Sequence, residues 1–270
     1  MENLFDISQQ VVVITGGTGV LGRTISKYLA LQGAKVAILG RKAEVGHTLV
    51  EDIRQEGGVA SFHVCDVLDK ERLQTTCDEI LQLYGHIDTL LNGAGGNMPG
   101  ATIAPDKTIF DLNADDFRKV QELNLTGTLL PTQVFLHPIA QQGRGSIVNF
   151  WSMSAFRPLT RVAGYGMAKA GVSNFTAFMA TEVAKKFGPG IRVNAIAPGF
   201  FLTEQNRTLL THPDGSWTER GQDIIRHTPM GRMGQPEELC GTIHYLISDA
   251  SRFVTGTVAV VDGGFNVFCI

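Results

Sequence analysis

Short runs of β-branched and other apolar residues alternate along the chain with longer stretches in which apolar positions recur at helical spacing. Seven runs read as strands: VVVIT (11–15), KVAIL (35–39), ASFHV (60–64), DTLLN (88–92), SIVNF (146–150), RVNAIA (192–197) and TVAVV (257–261). Each is short and apolar without a polar face, the pattern of parallel strands buried on both sides. Helical periodicity fills 20–31, 42–56, 69–84, 114–128, 163–187 and 236–248. Strand and helix alternating from end to end predict an α/β protein with a doubly wound, seven-stranded parallel sheet and helices on both faces. Dividing the chain would leave half a sheet with one bare face, so residues 1–270 are expected to form a single domain. The stretch 200–230 is rich in polar residues and turn formers and stands outside the alternation. A long excursion after a strand's carboxyl end is where such sheets bind ligands, so it is the expected substrate-binding segment.

Composition narrows the partners. The 270 residues are 43% hydrophobic and 18% charged, with a net charge of −3. Basic clusters are short, Arg41-Lys42 and Lys185-Lys186 among them, so no nucleic-acid or anionic-lipid surface is expected. The opening MENLFDISQQ has no basic and apolar leader pattern, and no window reaches the length of a membrane span; a cytoplasmic protein is expected. Cys65, Cys77, Cys240 and Cys269 lie far apart, and the seven histidines show no ligand spacing, so no metal site is expected. The acidic pairs Asp115-Asp116 and Glu237-Glu238 fall at helix starts, where negative charge complements the helix dipole.

The stretch TGGTGVLG follows the first strand and opens the first helix. Such a turn lets backbone approach a pyrophosphate and aims helix N–H groups at it, although a glycine turn inside a core reads the same way. Its position gives Gly16, Gly17, Thr18, Gly19, Val20, Leu21 and Gly22 as a candidate dinucleotide loop in a Rossmann fold. The acid that holds ribose hydroxyls at the end of the second strand is missing. Gly40 stands there, followed by Arg41 and Lys42, which suits a 2′-phosphate and favours NADP, with NAD as the alternative; a solvated helix start would also read this way.

Tyr165 and Lys169 in YGMAK are four residues apart, on one helix face and about 6 Å along its axis. An ammonium beside a phenol favours the phenolate and makes the tyrosine a usable acid or base. Ser152, just beyond the strand SIVNF, can hydrogen-bond a carbonyl oxygen, and Ser154 is the other candidate for that place.

From about residue 10 to 264 the sequence resembles the short-chain dehydrogenase/reductases. The resemblance rests on the glycine loop, CDV (65–67), NGAG (92–95), Asn124 in LNLTG, Ser152, Tyr165 with Lys169, RVNAIAPG (192–199) and VDGG (261–264). It implies an NAD(P)-dependent oxidoreductase that reduces a ketone to a secondary alcohol, and the reverse. Tyr165 would be the general acid or base, and Lys169 would hold the nicotinamide ribose and depress the tyrosine pKa. Ser152 would bind the substrate oxygen, and Asn124 would hold a water in a proton relay. Asp66 and Val67 would face the adenine; Asn92, Gly93, Ala94 and Gly95 would line the cleft. Pro198, Gly199, Phe201 and Thr203 would lie at the nicotinamide end. Two departures stand out: the loop fits T-G-x-x-G-x-x-G, with Val20 where the short members carry glycine, and NGAG replaces the commoner NNAG.

Within that family, GAGGN (93–97), SMSAFRPLT (152–160), APGFFLTEQNR (197–207) and HTPMGRMGQPEEL (227–239) resemble members described as D-mannonate oxidoreductases. A small-molecule sugar acid is the implied substrate, and it needs hydrogen-bond donors and a cation for its carboxylate. Asn97, Ser154, Arg157, Gln205, Asn206 and Arg207 are the candidates, with Arg157 and Arg207 for the carboxylate. A 3-oxoacyl thioester reductase and a non-catalytic dinucleotide sensor are the competing readings. The resemblance also implies a homo-oligomer, a tetramer.

Overall fold

The computed structural model describes residues 3–268, less the side chains of residues 204 and 205. Its seven strands are β1 (Val11–Thr15), β2 (Lys35–Gly40), β3 (Val59–Val64), β4 (Thr89–Asn92), β5 (Gly145–Phe150), β6 (Ile191–Pro198) and β7 (Val258–Val261). All pair in parallel, in the order β3-β2-β1-β4-β5-β6-β7. The chain winds outward from β1 through β2 to β3, then returns to the other side of β1 to lay down β4. That reversal opens a crevice at the carboxyl ends of β1 and β4, where Thr15 is paired with Asn92.

The connecting helices are α1 (Val20–Leu31), α2 (Ala43–Gln55), α3 (Lys70–Tyr84), α4 (Ala114–Gln121), α5 (Gly127–Gln142), α6 (Ala163–Lys186), α7 (Glu204–Leu210), α8 (Glu219–Arg226) and α9 (Cys240–Ile247). Alternate residues of a strand point to opposite faces, and both faces are filled. Val12 and Ile14 of β1 pack with Ile25 and Leu29 of α1 and Ile243 of α9. Val11 and Val13 join Leu73 of α3, Phe135 and Ile139 of α5 and Val183 of α6. Each such side chain taken fully out of water contributes about 1.5–3 kcal/mol before the entropy of ordering it is subtracted.

Burial on both faces holds for the interior strands but not at the sheet's margins. Val59 and Val64 of β3 are each 47% exposed, and β7 is only partly covered, because an edge strand lacks a neighbour on one side.

The helix expected over 114–128 is interrupted. α4 ends at Gln121, one π-helical turn spans Glu122–Thr126, and α5 continues to Gln142 with Pro131 and Pro138 inside it. Proline has no N–H to donate and reads in sequence as a stop, yet burial of Pro131, Val134, Phe135 and Ile139 holds this helix against the sheet. Asn113 caps α4 by accepting from the N–H groups of Asp115 and Asp116, and both acids lie in the first turn. Glu237 and Glu238 fall in a 3₁₀ turn, Pro236–Leu239, that leads into α9.

The 200–230 excursion is itself folded. It carries α7 and α8 around a small apolar cluster of Leu210, Ile224 and Met233, flanked by Phe200, Leu202 and Trp217. Among the described residues, no helix is long and apolar enough to cross a membrane, and no group of three or more His, Cys, Asp or Glu side chains is placed to hold a metal.

Candidate active site

The crevice begins at the glycine turn after β1. Gly16 takes φ +67, in the left-handed region, and a Cβ there would stand 2.8 Å from the Cα of Ala94 in the turn after β4. At Gly22 an added Cβ would lie 2.4 Å from the Gly16 carbonyl oxygen, so α1 is packed directly onto the turn. Gly19 differs: its closest neighbour would be the Gly16 carbonyl at 3.3 Å. Gly19 is also the N-cap of α1, with no side chain capping the helix and no acid in its first turn. The start of this helix, Val20-Leu21-Gly22, thus presents N–H groups and a positive dipole end without a built-in anion, as a pyrophosphate requires. Thr18 folds over the end of β2, where a Cβ at Gly40 would meet its Oγ1 at 2.9 Å. Arg41 and Lys42 follow, both exposed and in no salt bridge among the described residues.

The second wall is the turn after β4. The Ala94 N–H donates to Thr15 Oγ1 at 3.1 Å, and a Cβ at Gly93 would lie 2.8 Å from the Thr15 carbonyl. Glycine in NGAG therefore brings this turn hard against β1. Asn124, wholly buried in the π-helical turn, holds the turn from beneath: its Nδ2 donates to the Gly96 carbonyl at 2.7 Å and its Oδ1 accepts from the Gly96 N–H at 3.3 Å. Asn92 does not face the cleft. Its Nδ2 donates to Asn149 Oδ1 at 2.8 Å and Thr132 Oγ1 at 2.9 Å, in a buried chain that ends on Thr176 of α6. Asp66 closes its own turn by accepting from the Leu68 N–H at 3.0 Å, and Val67 is buried against Gly127.

Ser152, Tyr165 and Lys169 meet at the end of β5 and the first turns of α6. Ser152 Oγ accepts from the N–H of Ser154 at 3.2 Å and from Ser154 Oγ at 3.0 Å. With both lone pairs taken, its own proton is free to point away from Ser154. Ser154, the rival candidate, is therefore the buried residue that orients Ser152. Lys169 is 3% exposed, donates to the Phe150 carbonyl at 2.9 Å, and lies over the Tyr165 ring at 5.6 Å from its centroid. Burial lowers the ammonium to about 8. Burial also raises the Tyr165 phenol, with the Ser152 hydroxyl pulling the other way. The expected depression of the tyrosine by its lysine is thus not what this arrangement gives: desolvation dominates, and the ammonium sits over the ring face.

The candidates beyond β6 divide. A Cβ at Gly199 would lie 2.6 Å from the Asp262 Cα, so the end of β6, Pro198-Gly199, is pressed against the strand end of β7. Thr203 caps α7, its N–H donating to Asn206 Oδ1 at 2.7 Å. Asn206 spends its other end on the Phe201 carbonyl at 2.8 Å, which makes it a brace of the segment and not a free substrate donor. Phe201 is 5% exposed within the same core as Leu239 and Ile243, so its ring is structural. Arg157 stacks over Phe265 at 5.9 Å, Asn97 donates to Thr102 Oγ1 at 2.9 Å, and Arg207 is exposed. The Gln205 side chain lies outside the described residues. Arg161, Arg220 and Asn149 escaped the sequence reading, since no local pattern marks them.

A parallel sheet with its glycine turn at the strand-order reversal, beside a buried lysine set over a tyrosine ring, defines a nicotinamide-dependent oxidoreductase. A family model described as enoyl-(acyl carrier protein) reductase matches residues 18–266. The chain belongs to this short-chain dehydrogenase/reductase family and is an NAD(P)-dependent enzyme of it. It is 43% identical to an uncharacterized oxidoreductase, UxuB, of Bacillus subtilis, over 97% of both chains. A solved structure from Haemophilus influenza, provisionally named a D-mannonate oxidoreductase and holding NAD, is 40% identical, with a TM-score of 0.91 over 98% of this chain and 97% of that one. A gluconate 5-dehydrogenase from Burkholderia cenocepacia, solved with NADP and tartrate, is 32% identical, with a TM-score of 0.87 over 98% of each chain.

Proposed function

We propose that the enzyme interconverts a keto sugar acid and its secondary alcohol, with D-fructuronate and D-mannonate as the substrate pair. The observation that carries the chemistry is the buried Lys169, tied to the Phe150 carbonyl and lying over the Tyr165 ring, with the Ser152 hydroxyl braced by Ser154 at the end of the neighbouring strand. The bound nicotinamide supplies the hydride for reduction and takes it back in oxidation. Ser152 holds the ketone oxygen beside Tyr165 and stabilises the charge that grows on it. Tyr165 keeps its proton at neutral pH because burial raises its pKa, and gives that proton to the oxygen as the alcohol forms. Lys169 then lies next to the developing phenolate, where its charge offsets the new one. Asn124 holds the turn that carries Gly95 and Gly96 against Lys169, and a water on that route would return the proton from solvent.

Gly16 to Gly22 would hold the pyrophosphate, Asp66 and Val67 the adenine, and Thr203 the nicotinamide carboxamide. NADP is the favoured form, because Gly40 under Thr18 leaves no carboxylate for ribose hydroxyls while Arg41 and Lys42 are free to take a 2′-phosphate. The substrate class is supported by the likeness to the provisional D-mannonate oxidoreductase and to a gluconate 5-dehydrogenase that holds a hydroxy dicarboxylate. We place the enzyme in the cytoplasm as a homotetramer.

The test is a table of initial rates for D-fructuronate, other keto acids, a 3-oxoacyl thioester and an apolar ketone, each with NADH and NADPH. The keto sugar acids should lead by kcat/KM. Preference for the thioester would replace the substrate assignment, and dinucleotide binding without any turnover would favour a sensor.

A further inference from the structure

The chain between the two halves of the catalytic pair is short: it leaves Ser152, runs through a 3₁₀ turn at Met153–Ala155, and enters α6 two residues before Tyr165. Arg161 lies at its end with φ +77, one of two non-glycine residues in the left-handed region among those described. That conformation costs on the order of 1 kcal/mol or more and persists only where surroundings impose it. Here the Arg161 carbonyl is fastened by the Ile103 N–H at 2.9 Å. From the other side α8 reaches over, and Arg220 Nη1 donates to Thr160 Oγ1 at 3.2 Å. Two segments distant in sequence thereby meet beside the chain that links Ser152 to Tyr165, with Arg220 bonded to the residue next to Arg161.

Neither arginine forms a salt bridge among the described residues. Arg72 and Arg232, by contrast, each take both oxygens of a glutamate, Glu79 and Glu238. Arg220 is half-buried, and burial together with the adjacent Arg161 cation holds its guanidinium below the usual range. Asp223 works in the opposite sense, but its carboxylate is bonded by Arg226. Two like charges close together repel, and an anion bound between them relieves that repulsion.

We propose that Arg161 and Arg220 form a two-arginine clamp for the substrate carboxylate, held at a fixed distance from the reacting oxygen by the Ser152–Tyr165 segment. Each planar guanidinium fork matches a carboxylate's two oxygens. The ketone of a sugar acid lies several bonds from its carboxylate, so the clamp stands to one side of the catalytic pair. The bond from Arg220 to Thr160 already docks α8 onto this segment and would set the Arg220 guanidinium beside Arg161 before the acid binds. The assignment replaces Arg157, which is stacked on Phe265, and it rests on the sugar-acid reading given above.

The test compares wild-type enzyme with Arg161→Gln and Arg220→Gln, using D-fructuronate and its uncharged methyl ester. Each variant should raise KM for the acid about 10- to 100-fold, the loss of a charged hydrogen-bonded contact, with kcat little changed. The ester should lose far less, and Arg220→Lys should recover part of the affinity. NADPH affinity and the melting temperature serve as checks on folding. Unchanged KM for the acid in both variants would overturn the clamp, and so would equal losses for acid and ester. Wild-type enzyme that reduces no keto acid would instead remove the substrate reading, and the clamp with it.

Discussion

The Lys169 ammonium lies over the face of the Tyr165 ring, 5.6 Å from its centroid, and is tied to the Phe150 carbonyl at 2.9 Å. It is thus anchored by backbone and placed to answer a negative charge when the phenol gives up its proton, while burial keeps that phenol protonated beforehand. Tyr165→Phe removes the proton and keeps the ring. The expected result is a fall in kcat by about 10²- to 10⁴-fold with NADPH affinity unchanged, measured by steady-state rates and fluorescence titration. Full activity in this variant would remove Tyr165 from the mechanism.

Buried Lys169 also makes stability depend on pH. Its folded pKa of about 8 lies below the ordinary 10.5, so the unfolded chain binds the extra proton between those values and stability rises with pH across that window. Below pH 8 the buried charge costs on the order of 3 kcal/mol. Lys169→Met should therefore be the more stable protein at pH 7, by somewhat less than that because the bond to Phe150 is lost, and the gain should shrink toward pH 10. Burial raises the Cys77 thiol to about 12 and Cys240 to about 11, which acts in the opposite sense above pH 9, but it is common to both proteins and cancels in the difference. Urea unfolding of both at pH 7 and pH 10 checks the sign. A gain that grows with pH would be the wrong one.

The glycine turn separates packing from binding. Gly22→Ala forces a Cβ to within 2.4 Å of the Gly16 carbonyl oxygen, so it should lower stability by about 1–3 kcal/mol and weaken dinucleotide binding. Gly19→Ala meets its nearest atom at 3.3 Å and should fold almost normally while narrowing the approach to the α1 N–H groups. Melting temperatures and NADPH titrations of the two variants should diverge accordingly; equal stability losses would count against this account of the turn.

Arg41 is exposed and unpaired among the described residues, next to the acid-free end of β2. Arg41→Ala should weaken NADPH binding by about 10-fold, the loss of one charged contact, and leave NADH nearly unaffected. Equal effects on both cofactors would make Arg41 an ordinary surface residue.

The alternation of apolar runs, the glycine turn at its place after the first strand, and the four-residue spacing of Tyr165 and Lys169 were all legible in the chain. These depend on near neighbours: strand and helix periods, and the i, i+4 geometry that puts two side chains on one face. Interior burial followed from the same patterns, but the half-covered edges β3 and β7 did not, since a strand's position in the sheet is a property of the whole winding. Likewise α5 was hidden behind Pro131 and Pro138, whose local cost is outweighed by a buried face.

Only the tertiary structure decided which polar groups remain available. Asn92 looks in sequence like a cleft residue and Asn206 like a substrate donor, yet distant partners take the first and a capping contact the second. Arg161 and Arg220 are unremarkable in their own surroundings and become neighbours because α8 folds back onto the segment after Ser152, where Arg220 bonds Thr160. A side chain's type and period are set by its own stretch of chain, whereas its hydrogen-bond partners and field are set by whichever remote segments pack beside it.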